Sequence, residues 1–123
     1  MPNDIRVLIV DDHRLVRAGL TQFLETCEGI EVIGAVSNGA EAVEQCGKLQ
    51  PHVVLMDLYM PVMDGITATR IICQKYPYIK VVILTNSYGD TRKQEALEAG
   101  ASKYLRKGVS VEEISDALRA VAQ

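Results

Sequence analysis

The chain has 123 residues, of which 48% are hydrophobic and 24% charged, with a formal net charge of −3 and a sequence pI near 5.3. That length supplies one hydrophobic core and is too short for two ordinary ones, and the composition is that of a globular domain. The acidic balance excludes a free-standing nucleic-acid binder of the usual basic kind, and no run of about 20 apolar residues is available to span a bilayer.

In chain order, the start Met1-Pro2-Asn3-Asp4 is no signal peptide, and the first apolar run follows at once, Ile5–Val10. At its carboxyl end stand Asp11, Asp12 and His13. Val16, Leu20, Phe23, Leu24 and Cys27 then repeat at helical spacing on one face, and Gly29 marks a helix end. A second apolar run covers Val32–Val36. Asn38-x-x-Glu41 opens the next helix with a capping-box-like pattern, and Pro51 precedes the third run, Val53–Met56. Asp57 follows that run, at the head of the loop Asp57-Leu58-Tyr59-Met60-Pro61-Val62-Met63-Asp64-Gly65. Pro77 precedes the fourth run, Val81–Leu84, which is followed by Thr85, Asn86 and Ser87. The fifth run, Lys103–Leu105, leads into Arg106 and Lys107, and Ser110-x-x-Glu113 opens a last helix whose apolar face is Ile114, Ala117, Leu118 and Val121.

Five strand-like runs alternating with amphipathic helices predict one doubly wound α/β domain built on a parallel sheet with right-handed crossovers. In such sheets ligands bind beyond the carboxyl ends of the strands. Strands one, three, four and five deliver Asp11, Asp12, Asp57, Thr85 and Lys107 to that edge. Three neighbouring carboxylates repel one another, and a divalent cation relieves the repulsion. An all-oxygen set with room for waters suits Mg2+, which in turn neutralises an incoming phosphoryl group. A carboxylate beside it can act as a nucleophile and form an acyl phosphate, with the Lys107 ammonium and the Thr85 hydroxyl meeting phosphoryl oxygens.

Duller readings exist for each residue taken singly. Asp12 can N-cap the first helix, Asp57 can form a turn, and Thr85 and Lys107 can be ordinary strand-end residues. Their joint placement is what favours chemistry. His13 and His52 are not spaced as a metal pair and read as structural or solvent-facing. Cys27, Cys46 and Cys73 are odd in number and far apart, which fits free thiols in a reducing compartment, the cytosol.

The Asp11-Asp12 pair, the Asp57-to-Gly65 loop, Thr85 with Ala101 to Leu105 downstream, and Lys107 together resemble the receiver domains of two-component response regulators over essentially the whole chain. The Val10-Asp11-Asp12-His13 start and the run Val81-Val82-Ile83-Leu84 are most similar to the NarL/FixJ, or LuxR-type, subfamily. The resemblance implies a flavodoxin-like (βα)5 sandwich over residues 1–123, with strand order 2-1-3-4-5. It also implies a phosphorylation-activated switch: Asp57 accepts phosphate from a sensor histidine kinase and is not a turnover enzyme. Asp12, Asp57 and the backbone carbonyl of Tyr59 would ligate Mg2+ directly and Asp11 largely through water. Lys107 would contact the phosphoryl group, Thr85 would swing toward it, and Tyr104 would turn inward in concert. Tyr59 and Ser87 match positions that tune phosphoryl lifetime. The readout would be the face of helix four, strand five and helix five, or of helices one and five, either of which a homodimer could use; Ala99, Ala101 and Val111 lie in that region. Gly108 departs from the proline that many receivers carry there, which leaves the peptide geometry after Lys107 open. LuxR-type regulators continue into a helix-turn-helix domain, so DNA contact and control of transcription are expected through an output domain outside this chain. Two competing classes are an aspartyl-nucleophile phosphatase and a degenerate receiver serving only protein interaction. Tyr59 stands where such a phosphatase carries its acid/base Asp. A flavin-binding relative lacks support, because no phosphate-binding loop follows strand one.

Overall fold

The computed structural model describes residues 4–86 and 92–123. Five strands, β1 (Ile5–Val10), β2 (Ile30–Val36), β3 (Val53–Met56), β4 (Lys80–Thr85) and β5 (Lys103–Arg106), alternate with five helices, α1 (Arg14–Glu25), α2 (Gly39–Leu49), α3 (Gly65–Lys75), α4 (Lys93–Ala99) and α5 (Val111–Val121). The sheet is parallel throughout, in the order β2-β1-β3-β4-β5. This is the flavodoxin-like doubly wound arrangement expected from the sequence. The order switches between β1 and β3, so the carboxyl ends of these two strands flank a cleft.

The central strands are apolar on both faces because both faces are covered. Leu8, Val10, Val54, Met56, Val81 and Ile83 point into one core with Ile66, Ile72 and Ala96 from α3 and α4. Their neighbours Val7, Ile9, Val53, Leu55, Val82 and Leu84 point the other way, onto Leu24, Ile114 and Leu118 from α1 and α5. Each fully buried Leu or Ile stabilises the fold by roughly 1.5–3 kcal/mol. Among the described residues, no helix is long and apolar enough to cross a membrane, and Cys27, Cys46 and Cys73 are free thiols.

Strand ends differ from the sequence expectation where pairing outweighs hydrophobicity. β2 begins at Ile30, not Val32, because Ile30 and Glu31 pair with Ile5 and Arg6. β4 includes Thr85 and β5 includes Arg106, which are paired with each other. Helix starts follow the capping signals. The side chains of Asn38 and Ser110 accept from the amides of Glu41 and Glu113, at 2.9 and 3.2 Å, and Asp64 caps α3 by accepting from Thr67 at 2.8 Å. Asp12 does not cap α1. The N-cap there is His13, whose side chain makes no capping bond.

The loop after β3 is closed by close backbone approach. The amide of Gly65 donates to the carbonyl of Leu58 at 2.8 Å, and the amide of Gly39 to that of Met63 at 3.0 Å. A Cβ on Gly65 would run into the carbonyl oxygen of Asp57, so only glycine fits. Gly19, inside α1, has nothing within 4 Å of where a Cβ would stand. Gly65→Ala is therefore expected to destabilise the fold by about 1–3 kcal/mol, as overpacking does. Gly19→Ala should stabilise it by about 0.5–1 kcal/mol through helix propensity. Urea unfolding midpoints check both; equal effects would contradict this packing.

Candidate functional site

The carboxyl ends of β1 and β3 are tied together in register. The amide of Asp57 donates to the carbonyl of Val10 at 2.8 Å, and that of Asp11 to Val36 of β2 at 3.1 Å. Asp11 and Asp57 consequently follow adjacent strands, and both are buried, at 2% and 5% exposure. On the other flank, the amide of Lys107 donates to the carbonyl of Thr85 at 2.9 Å. That bond aims the Lys107 side chain back across the sheet edge. Its ammonium lies 2.7 Å from Asp11 Oδ2 and 3.6 Å from Asp57 Oδ1.

One ligand atom each from Asp11, Asp12, His13 and Asp57 lies within 4.8 Å of the others, a set able to hold a metal ion. Asp11 is the hub. Its Oδ1 accepts the His13 amide at 2.8 Å and stands 3.2 Å from His13 Nδ1, while its Oδ2 faces Lys107. Its backbone carbonyl accepts from the Arg17 guanidinium at 2.7 Å, one turn into α1. Asp57 Oδ1 accepts from the amide of Leu58 at 2.9 Å. Burial is the main reason its carboxyl group is pushed up, from an ordinary 3.8 to about 6. The Asp11 charge raises it further, and Lys107 and the Leu58 amide pull it back only partly.

Thr85, the last residue of β4, is fully buried, and Tyr104 of β5 is half-buried against the core that contains Ile83 and Ala101. Tyr59 is exposed, its ring 5.6 Å from the Arg92 guanidinium at the start of α4, which also lies 3.9 Å from Asp64 and 3.1 Å from Glu95. Ser87 lies outside the described residues. The peptide between Lys107 and Gly108 is trans.

The structure thus brings Asp11, Asp12, Asp57 and Lys107 to one place, with Thr85 joined to Lys107 through the backbone. Sequence reasoning missed three residues. His13 is exposed, as expected, yet its ring meets both Asp11 and Asp12, at 3.2 and 3.3 Å; its direct adjacency to Asp12 was the available signal. Arg17 and Arg92 carried none, since their contacts depend on how α1 and α4 dock. His52 sits at the opposite end of the strands, where its Nδ1 accepts the Arg6 amide at 2.9 Å.

Residues 7–119 match the family model for the response regulator receiver domain. The chain is 47% identical over 119 residues to the transcriptional regulatory protein LiaR of Bacillus subtilis, covering 97% of this chain and 56% of that one. It spans about half the length of the curated relatives it matches. The signal receiver domain of the putative response regulator NarL from Mycobacterium tuberculosis superposes with a TM-score of 0.92 at 30% identity, covering 98% of each chain. The structure of the CheX–CheY–BeF3–Mg2+ complex from Borrelia burgdorferi also matches, with a TM-score of 0.88 at 27% identity, covering 95% of this chain and 88% of that one.

The raised Asp57 pKa makes a prediction of sign. The carboxyl group binds its proton more tightly folded than unfolded, so its contribution to stability is full below the unfolded value near 3.8 and is lost as pH rises through about 6. With a chelator present, Asp57→Asn should raise the unfolding free energy by about 2 kcal/mol at pH 8 and by little at pH 4. Thermal melts across that range check it; a gain that does not vary with pH would contradict the assignment.

Proposed function

The chain belongs to the response regulator receiver domain family, in its NarL/FixJ (LuxR-type) branch, and we propose that it is a phosphorylation-controlled switch in which Asp57 takes a phosphoryl group from the histidine of a sensor kinase. The observation that carries this reading is the cluster of buried Asp11 and Asp57 with the more exposed Asp12 beside them and the Lys107 ammonium reaching in. Buried carboxylates this close are costly unless a positive charge offsets them, and Lys107 supplies only one.

The donor set fits Mg2+, a hard cation that prefers oxygen ligands. Asp12, Asp57 and the backbone carbonyl of Tyr59 would hold it, with Asp11 contributing largely through water; bound there, it would neutralise charge on the phosphoryl oxygens. An oxygen of the Asp57 carboxylate attacks phosphorus, the bond from phosphorus to the kinase imidazole breaks, and an acyl phosphate remains. The Leu58 amide keeps Asp57 Oδ1 oriented. Lys107 is near enough to Asp57 to exchange part of its pairing with Asp11 for a phosphoryl oxygen.

Phosphate on Asp57 adds charge and acceptor oxygens that Thr85 and Lys107 can reward in one of two conformations. Because the Lys107 amide is bonded to the Thr85 carbonyl, a shift at either residue is felt at the other, and Tyr104 turns further inward. Tyr59 and Ser87 match positions that tune phosphoryl lifetime in the family, and the same part is proposed for them here. The chain acts as an acceptor rather than a turnover enzyme. It works in the cytoplasm, through homodimerisation and through a DNA-binding output domain that controls transcription.

The test is phosphate uptake from acetyl phosphate. Mg2+-dependent, stoichiometric incorporation is expected, lost in Asp57→Ala and reduced about tenfold or more in Lys107→Ala, as expected for removal of a charge-assisted contact. Mass spectrometry of the intact chain reads it. No uptake by the unaltered protein in Mg2+ would overturn the reading, and turnover of a phosphate ester without labelling of Asp57 would replace it with a phosphatase.

A further inference from the structure

Asp11 and Asp12 are adjacent in the chain, so the directions of their carboxylates depend on the backbone between them. That backbone is one planar peptide unit, with the Asp11 carbonyl at one end and the Asp12 amide at the other. It lies between two ladders. The amide of Asp11 donates to the carbonyl of Val36 in β2 at 3.1 Å, and the ladder of α1 opens with the amide of Arg17 donating to the carbonyl of His13 at 3.0 Å. The Asp11 carbonyl falls in the gap. Helical side chains lean back toward the amino end of their helix. Arg17, one turn into α1, reaches back that way, and its Nη1 donates to the Asp11 carbonyl at 2.7 Å. One residue thus closes the corner twice, with its amide on His13 and its guanidinium on Asp11.

We propose that Arg17 is a positioning residue for the cation site, fixing the peptide unit that joins Asp11 to Asp12 and with it the spacing of their carboxylates. The inference rests on the cluster holding Mg2+, as proposed above. In this role Arg17 acts through the two acids rather than on the ion. Its bond to the carbonyl is charge-assisted and so of the stronger kind. Hydrogen bonds that orient metal ligands contribute roughly 10–100-fold in metal affinity. The charge of Arg17 works the other way. A positive group beside a cation site repels the ion, and the Lys107 ammonium already stands there. Geometry and charge therefore give opposite signs for the loss of Arg17: looser Mg2+ if it holds the peptide, tighter Mg2+ if only its charge is felt.

Calorimetric titration of Mg2+ into the unaltered chain and two variants tests this. Arg17→Met, which keeps the length of the side chain and loses both donor and charge, should bind Mg2+ about tenfold more weakly. Arg17→Lys, which keeps a charge and a donor, should regain most of that loss. Labelling of Asp57 by acetyl phosphate should need correspondingly more Mg2+ in Arg17→Met. Thermal melts in chelator show whether each variant is folded, and Arg17→Ala stands in for Arg17→Met if that variant is not. Mg2+ affinity that is unchanged or higher without the guanidinium, or a loss that Arg17→Lys leaves in full, overturns the Arg17 inference while the phosphoacceptor reading stands. Absence of saturable Mg2+ binding by the unaltered chain overturns the two together.

Discussion

The contact of 2.7 Å between Lys107 and Asp11 makes the acidic edge of this sheet tolerable. Asp11 and Asp57 are both buried beside a third carboxylate, and like charges in a poorly solvated pocket resist ionisation. The ammonium satisfies Asp11 first and reaches Asp57 only at 3.6 Å. Asp57 is left the less compensated of the two, and its raised pKa follows from burial and from the neighbouring Asp11 charge. A carboxylate that is incompletely neutralised and fixed by a backbone amide suits the nucleophilic part proposed for it.

That pocket is a product of strand register more than of local sequence. Backbone bonds from Asp57 to Val10 and from Lys107 to Thr85 place residues from three different loops within a few ångströms. The two cores that cover the sheet faces hold those strands in register, since slipping one residue would turn every apolar side chain to the wrong face. Packing far from the cleft thereby sets the distances inside it.

Much of this was legible in the sequence because each signal is local and repeated. Apolar runs of Val, Ile and Leu gave the strands, Asn38 and Ser110 marked helix starts, and the acidic residues sit directly after strands. The errors came where partners decide. Ile30 and Glu31 join β2 through their pairing with β1, although Glu31 breaks the apolar run. The duller reading of Asp12 as an N-cap, set against its place in the acidic cluster, falls because the chain enters α1 one residue later, at His13. The Arg17 bond to the Asp11 carbonyl and the Arg92 contacts with Tyr59 and Asp64 depend on the docking of helices, which no short pattern encodes, whereas the ring of His13 meets Asp11 and Asp12 through plain sequence adjacency.

The wedge of Gly65 against the Asp57 carbonyl divides the cleft into unequal halves. On that side the nucleophile's own backbone, the start of α3 and, through Gly39 and Met63, the start of α2 are locked as one block with no spare volume. The opposite side is fastened to the block by the polar reach of Lys107 and by the contacts of Arg92 with Tyr59 and Asp64. The cleft thus has one wall of fixed backbone and one of charged side chains: a group landing on Asp57 meets no give on the Gly65 side and only polar contacts on the other.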